Sequence, residues 1–289
     1  MSDATLQKLA QELNKADAVL VGAGTGLSEA AGFTRTAPYF TRHFSDFIDK
    51  YGFEDLCTAA RFNYPSQEEK WAFWSRAIYL YRYSPAPRPV YNTLFEIIKD
   101  KDYFVITTTA DHMFQKSGFD SDRLFYTYGD YGTWQCSQPC NDATYDNEDA
   151  VRKMMEAQRD MKVPRSLIPI CPACGRKMKV NLLTDDSFVE NDGWYRAEER
   201  YEHYVRSHKS GRIVFLDIGT TASTPIIIKC PFTQMTYENP LATYATIADC
   251  ALPEAEEIKD RALYVNNDIE QSLNQLLRYR KDCESKSRL

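Results

Sequence analysis

Hydrophobic and polar positions fall along this chain in two alternating patterns. The first 17 residues, "MSDATLQKLAQELNKAD", place apolar side chains at helical intervals in a polar background, the pattern of an amphipathic helix. "ADAVLVGAG" is then continuously apolar until its glycines, as a buried strand running into a Gly-rich turn would be, and "TGLSEAAGF" begins a helix. Residues 35–90 are aromatic and mostly helical in pattern, most clearly in "EEKWAFWSRAIYLYRY". "SPAPRPVYNTLFEIIKD" is a Pro-marked loop leading into another helix. "DYFVITTTADHMF" is a second strand with a polar end, and "GRIVFLDIGTTAS" a third strand and turn. "TYATIADC" predicts a further strand, and "RALYVNNDIEQSLNQLLRYRKD" a strand feeding the last helix. Short strands are expected around "RSLIPICPACGRKMKVNLL", and a solvated helix and turn at "AEERYEHYVRSHKSGR". Strands alternating with helices imply an α/β chain whose parallel sheet is covered on both faces.

Composition narrows the function. Hydrophobic residues make up 43% of the 289 positions, enough for a sizeable core. A net charge of −6 argues against nonspecific nucleic-acid binding, which requires a basic surface. No apolar run approaches the length of a membrane span, and the polar N-terminus does not resemble a signal peptide. The expectation is a soluble, cytoplasmic protein with neither nucleic acid nor membrane as partner. The Tyr and Trp stripe of residues 71–83 is expected in a core, and His43, His203 and His208 in solvated positions.

Of the eight cysteines, four form two tight pairs, Cys136 with Cys140 in "CSQPC" and Cys171 with Cys174 in "CPAC". In an intracellular chain such pairs hold a metal more often than they form disulfides. Two knuckles deliver four thiolates to a tetrahedral zinc ion, and a closed four-thiolate site leaves no position for substrate, so the zinc is structural. The alternative is a set of free or redox-active thiols. Cys57, Cys230, Cys250 and Cys283 are scattered and expected in packing roles.

"GAGTG" (Gly22, Ala23, Gly24, Thr25, Gly26) follows an apolar strand and precedes a helix. Glycines there let the backbone approach a pyrophosphate, and a helix start offers free N–H donors. The motif matches G-x-G-x-x-G only in its first half, so a purely structural turn is the alternative. "DIGTTAS" (Gly219, Thr220, Thr221, Ser223) and "TTTADH" also end strands. Three strand-end clusters converging on one crevice favour a nucleotide site.

"VLVGAGTGLSEAAGF", "ITTTADHMF", "YGDYGTWQC", the paired cysteines, "GTTASTP" and "ALYVNNDIEQSL" stand in the order seen in sirtuins. The chain resembles that family over nearly its whole length, and most closely its microbial macrodomain-linked branch, through "FSDFIDKYGFEDL", "CSQPCNDATYDNE", "LIPICPACGRKMKVNL" and "PFTQMTYENPLATYA". The resemblance implies a Rossmann-like NAD-binding domain of residues 1–34, 88–130 and 211–289. It also implies a small domain made of a helical insertion, residues 35–87, and a zinc module, residues 131–210. It implies NAD as co-substrate, held by Gly22, Ala23, Gly24, Thr25, Gly26, Ser28, Arg35, Thr107, Thr108, Asp111, Gly219, Thr220, Thr221 and Ser223. Asp111, Thr109 and Tyr128 fall on the family's catalytic positions. The macrodomain-linked branch is associated with protein ADP-ribosylation, which implies a protein acceptor, a lipoyl-carrier-type protein, and a macrodomain protein as partner.

Three departures bear on the chemistry. Sirtuins usually read T-Q-N-[IV]-D where this chain has Thr107, Thr108, Thr109, Ala110 and Asp111, so Thr109 replaces the Asn that contacts the nicotinamide ribose and catalytic water. Tyr128 replaces the general-base His, ahead of a retained Gly129, and the usual D-F-R is missing from "GFTRTAPYF". A phenol with a pKa of about 10 is a poor base at neutral pH, and losing an acid–base group costs about 10²–10⁴ in rate. Lysine deacylation is therefore disfavoured. ADP-ribosyl transfer with release of nicotinamide needs mainly positioning and a carboxylate, here Asp111, near developing positive charge. The alternatives are an NAD- or ADP-ribose-binding module with little catalysis, and a deacylase in which His112 replaces the missing base. If "TTTADH" continues as a strand, His112 points away from Asp111.

Overall fold

The computed structural model describes residues 2–221 and 226–287. In chain order the large lobe begins with α1 (Ser2–Lys15), β1 (Ala18–Ala23) and α2 (Thr25–Ala30). The chain then leaves through α3 (Tyr39–Tyr51), α4 (Leu56–Arg61) and α5 (Gln67–Ile78). It returns as α6 (Val90–Ile98), β2 (Asp102–Thr107), α7 (Met113–Lys116) and β3 (Leu124–Tyr126). A second excursion holds β4 (Gly129–Cys136), β5 (Tyr145–Asp146), α8 (Glu148–Ala157) and β6 (Met178–Leu182). The chain closes with α9 (Asp192–Ser207), β7 (Ile213–Ile218), α10 (Lys229–Glu238), β8 (Thr243–Ala248), β9 (Ala262–Asn266) and α11 (Ile269–Ser287).

Six strands form one parallel sheet in the order β3-β2-β1-β7-β8-β9. All six positions of β1 and of β7 are buried, as expected of strands covered on both faces. Alternate residues feed two cores. Val19, Val21 and Val105 pack with Leu6, Leu9 and Leu13 of α1 and with Leu273 and Leu276 of α11. Leu20, Phe104 and Phe215 face Ala197 and Tyr204 of α9 and Phe232 of α10. The predicted parallel α/β sheet is thus observed.

Helix α9 departs from expectation. It falls within residues 131–210, yet it packs on the large sheet. Tyr204 is buried and donates its hydroxyl to the carbonyls of Val19 (3.1 Å) and Asp102 (3.0 Å). The charges of "AEERYEHYVRSHK" occupy only the outer face of an amphipathic helix. His208, expected in solvent, is half-buried with Nε2 3.2 Å from an Asp102 carboxylate oxygen.

The small lobe has an antiparallel sheet in the order β5-β4-β6 beside α3, α4, α5 and α8. Phe40, Phe44, Phe47, Trp71 and Phe73 are fully buried, and Trp74, Tyr79 and Tyr83 partly so, which makes the aromatic stripe a core with one accessible edge. Ser66 caps α5 by accepting from Glu69 N at 3.2 Å. The helix then runs into a π-helical turn, Tyr79–Tyr83, which carries Arg82. Only β6 follows the "CPAC" knuckle as a strand. Before it come a 3₁₀ turn (Arg165–Leu167) and a single bridge between Ile170 and Lys177. Strand β4 was hidden in the sequence by its glycines. Gly129 has φ +84°, and a Cβ there would lie 2.1 Å from the Asn181 carbonyl oxygen, so only glycine admits β6 so close.

Candidate active site

The carboxyl ends of β1, β2 and β7 meet, and hydrogen bonds between their turns hold the meeting point. Gly24 N donates to Ile218 O and Gly26 N to Gly219 O, both at 2.9 Å. A Cβ on Gly24 would lie 2.4 Å from Gly219 O, and Gly219 itself has φ +64°. The glycines therefore allow two turns to pack against each other. This differs from the expected reason, an open approach to pyrophosphate, because the Gly24 and Gly26 amides are already engaged. Ala23 O accepts from Thr108 N (3.0 Å) and Thr107 Oγ1 (2.9 Å), which ties β1 to β2. The third turn is fixed from below, where Thr220 Oγ1 donates to Asp217 at 2.6 Å and Tyr244 donates to the same carboxylate at 2.8 Å. Burial pushes the Asp217 carboxyl up to about 6.

Asp111 is the centre of the site. It is 3% exposed, and its carboxylate accepts from Ser28 Oγ (2.5 Å), Tyr91 Oη (2.7 Å) and Met113 N (3.0 Å). All three donors are neutral. Burial holds the carboxyl above its ordinary range, and the three hydrogen bonds offset that only in part.

Thr109 is turned inward. Thr107 Oγ1 donates to Ala23 O and accepts from Thr109 N at 3.0 Å, so the Thr109 hydroxyl, 3.0 Å away, donates to Thr107 Oγ1. Tyr128 is held nearby, because Thr127 gives both its N–H and its hydroxyl to Thr107 O at 3.0 Å. Tyr128 is half-buried, and its hydroxyl has no hydrogen bond to any described residue.

His112 does not extend a strand. Strand β2 ends at Thr107, and His112 sits in the left-handed region at φ 62°, just before α7. Its Nδ1 lies 2.7 Å from Asp130 Oδ2. Asp130 Oδ1 accepts from Arg82 Nε (2.7 Å) and Gly132 N (2.6 Å). Burial opposes the Asp130 charge, but the His112 hydrogen bond and the Arg82 guanidinium hold its carboxyl below the ordinary range. Arg82, Asp130 and His112 thus join the π turn, β4 and the Asp111 loop.

Arg35 was expected at NAD phosphates. Its guanidinium bonds Glu29 (3.1 Å) and Thr25 Oγ1 (3.2 Å) and lies 3.8 Å from Cys57 Sγ, at the edge of the nucleotide turn. Gly22 and Ala23 lie inside β1, Thr221 is exposed, and Ser223 lies outside the described residues. The sequence reading missed Tyr91, Asp130, Arg82 and Asp217. Only Asp217 carried a signal, as a charged residue within the apolar run "IVFLDI".

The four paired cysteines come together, with all four sulfurs within 4.8 Å of one another. Cys136–Cys174 and Cys140–Cys171 are separated by 3.6 and 3.7 Å. A tetrahedron with bonds of about 2.3 Å has edges of about 3.8 Å, so the set fits a thiolate-bound zinc ion with no open position.

No protein-family model matches the chain. It is 36% identical over 267 residues to a protein ADP-ribosyltransferase of Staphylococcus aureus, covering 92% of this chain and 85% of that protein. It is 30% identical over 237 residues to a probable bifunctional ADP-ribose hydrolase/ADP-ribosyltransferase of Fusarium oxysporum f. sp. cubense, covering 77% of this chain and 39% of that protein. A solved complex of a Sir2 homologue with NAD shares the fold, with a TM-score of 0.62 over 96% of this chain and 94% of that one at 14% identity. Among the described residues, no helix is long and apolar enough to cross a membrane.

Proposed function

The chain belongs to the sirtuin (Sir2) family, and on that premise we propose that it is an NAD-dependent protein ADP-ribosyltransferase of the macrodomain-linked branch, acting in the cytoplasm. The observation that carries the reading is Asp111, a buried carboxylate whose hydrogen-bond partners are all neutral. The name of the Staphylococcus relative supports the activity and a protein acceptor. NAD would lie along the joined turns of Gly22–Ser28, Thr107–Asp111 and Gly219–Thr221, in the large domain of residues 1–34, 88–130 and 211–289. Bound there, it supplies an ADP-ribosyl group. The bond from ribose to nicotinamide breaks and the bond from ribose to the acceptor forms. Nicotinamide leaves neutral, and the acceptor's proton passes to solvent. Asp111 stabilises the positive charge that develops at the ribose. Tyr128 positions the ribose and does not remove its protons, while Thr109, turned inward onto Thr107, holds the shape of the turn. The acceptor is a lipoyl-carrier-type protein by family resemblance. The ADP-ribose hydrolase in the Fusarium relative's name supports a partner that removes the modification.

The test is incubation with radiolabelled NAD and a lipoyl-carrier protein. Protein-bound label with stoichiometric nicotinamide is expected. NAD binding without nicotinamide release would instead establish a binding module. Rapid turnover of acyl-lysine peptides would overturn the assignment in favour of a deacylase.

A further inference from the structure

A cavity of about 460 Å³ lies within the small lobe, walled by α4 and α5 on one side and by β4 and β6 on the other. That volume falls in the range of small-molecule sites. Two of its lining residues also touch the turns of the candidate active site. Tyr131, in its wall, donates its backbone N–H to Ala110 O (3.0 Å) beside Asp111, and Arg35, also in its wall, reaches the nucleotide turn. The apolar part of the lining includes Trp71, Trp74 and Leu182.

The charges in this wall are unbalanced. Arg35, Arg61, Lys70 and Lys179 line it against one carboxylate, Asp185. Arg35 is paired with Glu29, and Lys179 with Asp185 at 2.8 Å. Arg61 lies exposed at the rim. Lys70 is half-buried and has no hydrogen bond or ion pair from its side chain to any described residue. Burial, together with the like charges of Lys177 and Lys179, holds its ammonium below the ordinary lysine range. A partly dehydrated cation with no counter-charge is stabilised when a ligand brings an anion. The aromatic edge beside it gives that ligand an apolar surface to lie on.

We propose that this cavity is a binding subsite for an anionic group, carboxylate or phosphate, carried on an apolar stalk. The anion pairs with Lys70 and the stalk packs against Trp74 and Leu182. The subsite requires neither bound NAD nor a transfer reaction, so it stands or falls apart from the activity proposed above.

Binding of octanoate, octyl phosphate and octan-1-ol to the NAD-free protein tests it, followed by calorimetry and tryptophan emission. At least one of the two anions is expected to bind and to change the emission, and which one binds identifies the head group. Octan-1-ol is expected to bind at least about tenfold more weakly. Lys70→Met should weaken the anion about tenfold or more and leave octan-1-ol unchanged, while Lys70→Arg retains binding. A thermal melt of each variant confirms folding. The proposal is overturned if octan-1-ol binds as tightly as the anions, if Lys70→Met has no effect in a folded protein, or if neither anion binds. Inorganic phosphate binding as tightly as octyl phosphate would remove the apolar stalk from the assignment.

Discussion

The loop around Asp111 and the junction around Asp130 each hold a buried or half-buried carboxylate, and they hold it in opposite ways. Asp111 takes hydrogen bonds from two hydroxyls and an amide, all from the large lobe, and its carboxyl is raised. Asp130 takes them from a guanidinium, an imidazole and an amide that bridge the lobes, and its carboxyl is lowered. Neutral donors fix the position of a charge without neutralising it, whereas the Arg82 guanidinium neutralises it. Asp111 is thus left to respond to positive charge arriving from outside, and Asp130 serves to join parts of the protein. Proximity to the crevice alone does not separate these roles. The chemical nature of the hydrogen-bond donors does.

The largest expected effect comes from the metal. Strand β4 begins at Gly129, next to Asp130, and ends at Cys136, so the cysteine cluster anchors the strand that carries the junction. Metal analysis should find about one zinc per chain. Cys136→Ser should lose it and destabilise the small lobe by several kcal/mol, since folding and metal binding are coupled in such modules. Hydrogen exchange should then quicken at the Gly132 amide, bonded to Asp130, while the Met113 amide, bonded to Asp111, stays protected. Equal loss at both amides would show that the two regions are not separate.

Asp111→Asn comes next. It keeps the shape and removes the charge, so transfer of label from NAD should fall by about 10²–10³, with little loss of thermal stability. The pH dependence gives the comparison its sign. A raised folded-state pKa means that the stability linked to Asp111 is full below the unfolded value of about 3.9 and is lost as pH rises through the folded one. The lowered Asp130 pKa has the reverse consequence, with stability present above the unfolded value and lost as pH falls through the folded one. Asp130→Asn should therefore cost about 1–3 kcal/mol near pH 7, a range that allows for its partial exposure, and should flatten the acid limb of the stability curve. If both Asn variants shift the curve in the same direction, the distinction between neutral and cationic donors fails.

The legible parts of the sequence were those set by local pattern. The strands of the large sheet were visible as apolar runs, and the cysteine pairs were visible by spacing. The turns at Gly22–Ser28 and Gly219 were visible as glycines after a strand, although not the fact that they pack on each other. Contacts between distant positions were not legible. Nothing near Tyr91 marks it as a donor to a carboxylate 20 residues on, and nothing near Arg82 marks it as the partner of Asp130, 48 residues on. Helix α9 was misplaced because its many charges concealed two buried contacts. His112 was given the wrong local conformation, since a left-handed residue after "TTTAD" leaves no periodic trace.

The smallest effect is expected at Tyr128, and it tests whether position alone suffices there. The double hydrogen bond from Thr127 to Thr107 O holds Tyr128 beside the Thr107–Thr109 turn, with a hydroxyl that no described residue engages. If that hydroxyl only orients the ribose, Tyr128→Phe removes one neutral hydrogen bond, worth about 1.4 kcal/mol, and slows transfer about tenfold. Tyr128→His restores the imidazole at the base position, yet acyl-lysine turnover should stay low. Thr109 still lacks an amide, and its hydroxyl proton is committed to Thr107 Oγ1. An Asn at 109 has the donors and acceptor that the ribose and a water require, so Tyr128→His with Thr109→Asn should exceed either single change in deacylation. Steady-state assays of both reactions on the four proteins decide the matter. Full deacylation from Tyr128→His alone would show that the inward turn of Thr109 is immaterial. Loss of transfer in Tyr128→Phe comparable to that in Asp111→Asn would move Tyr128 from orienting the ribose to taking part in the chemistry, and the contrast drawn between a charged centre and its neutral surroundings would no longer hold.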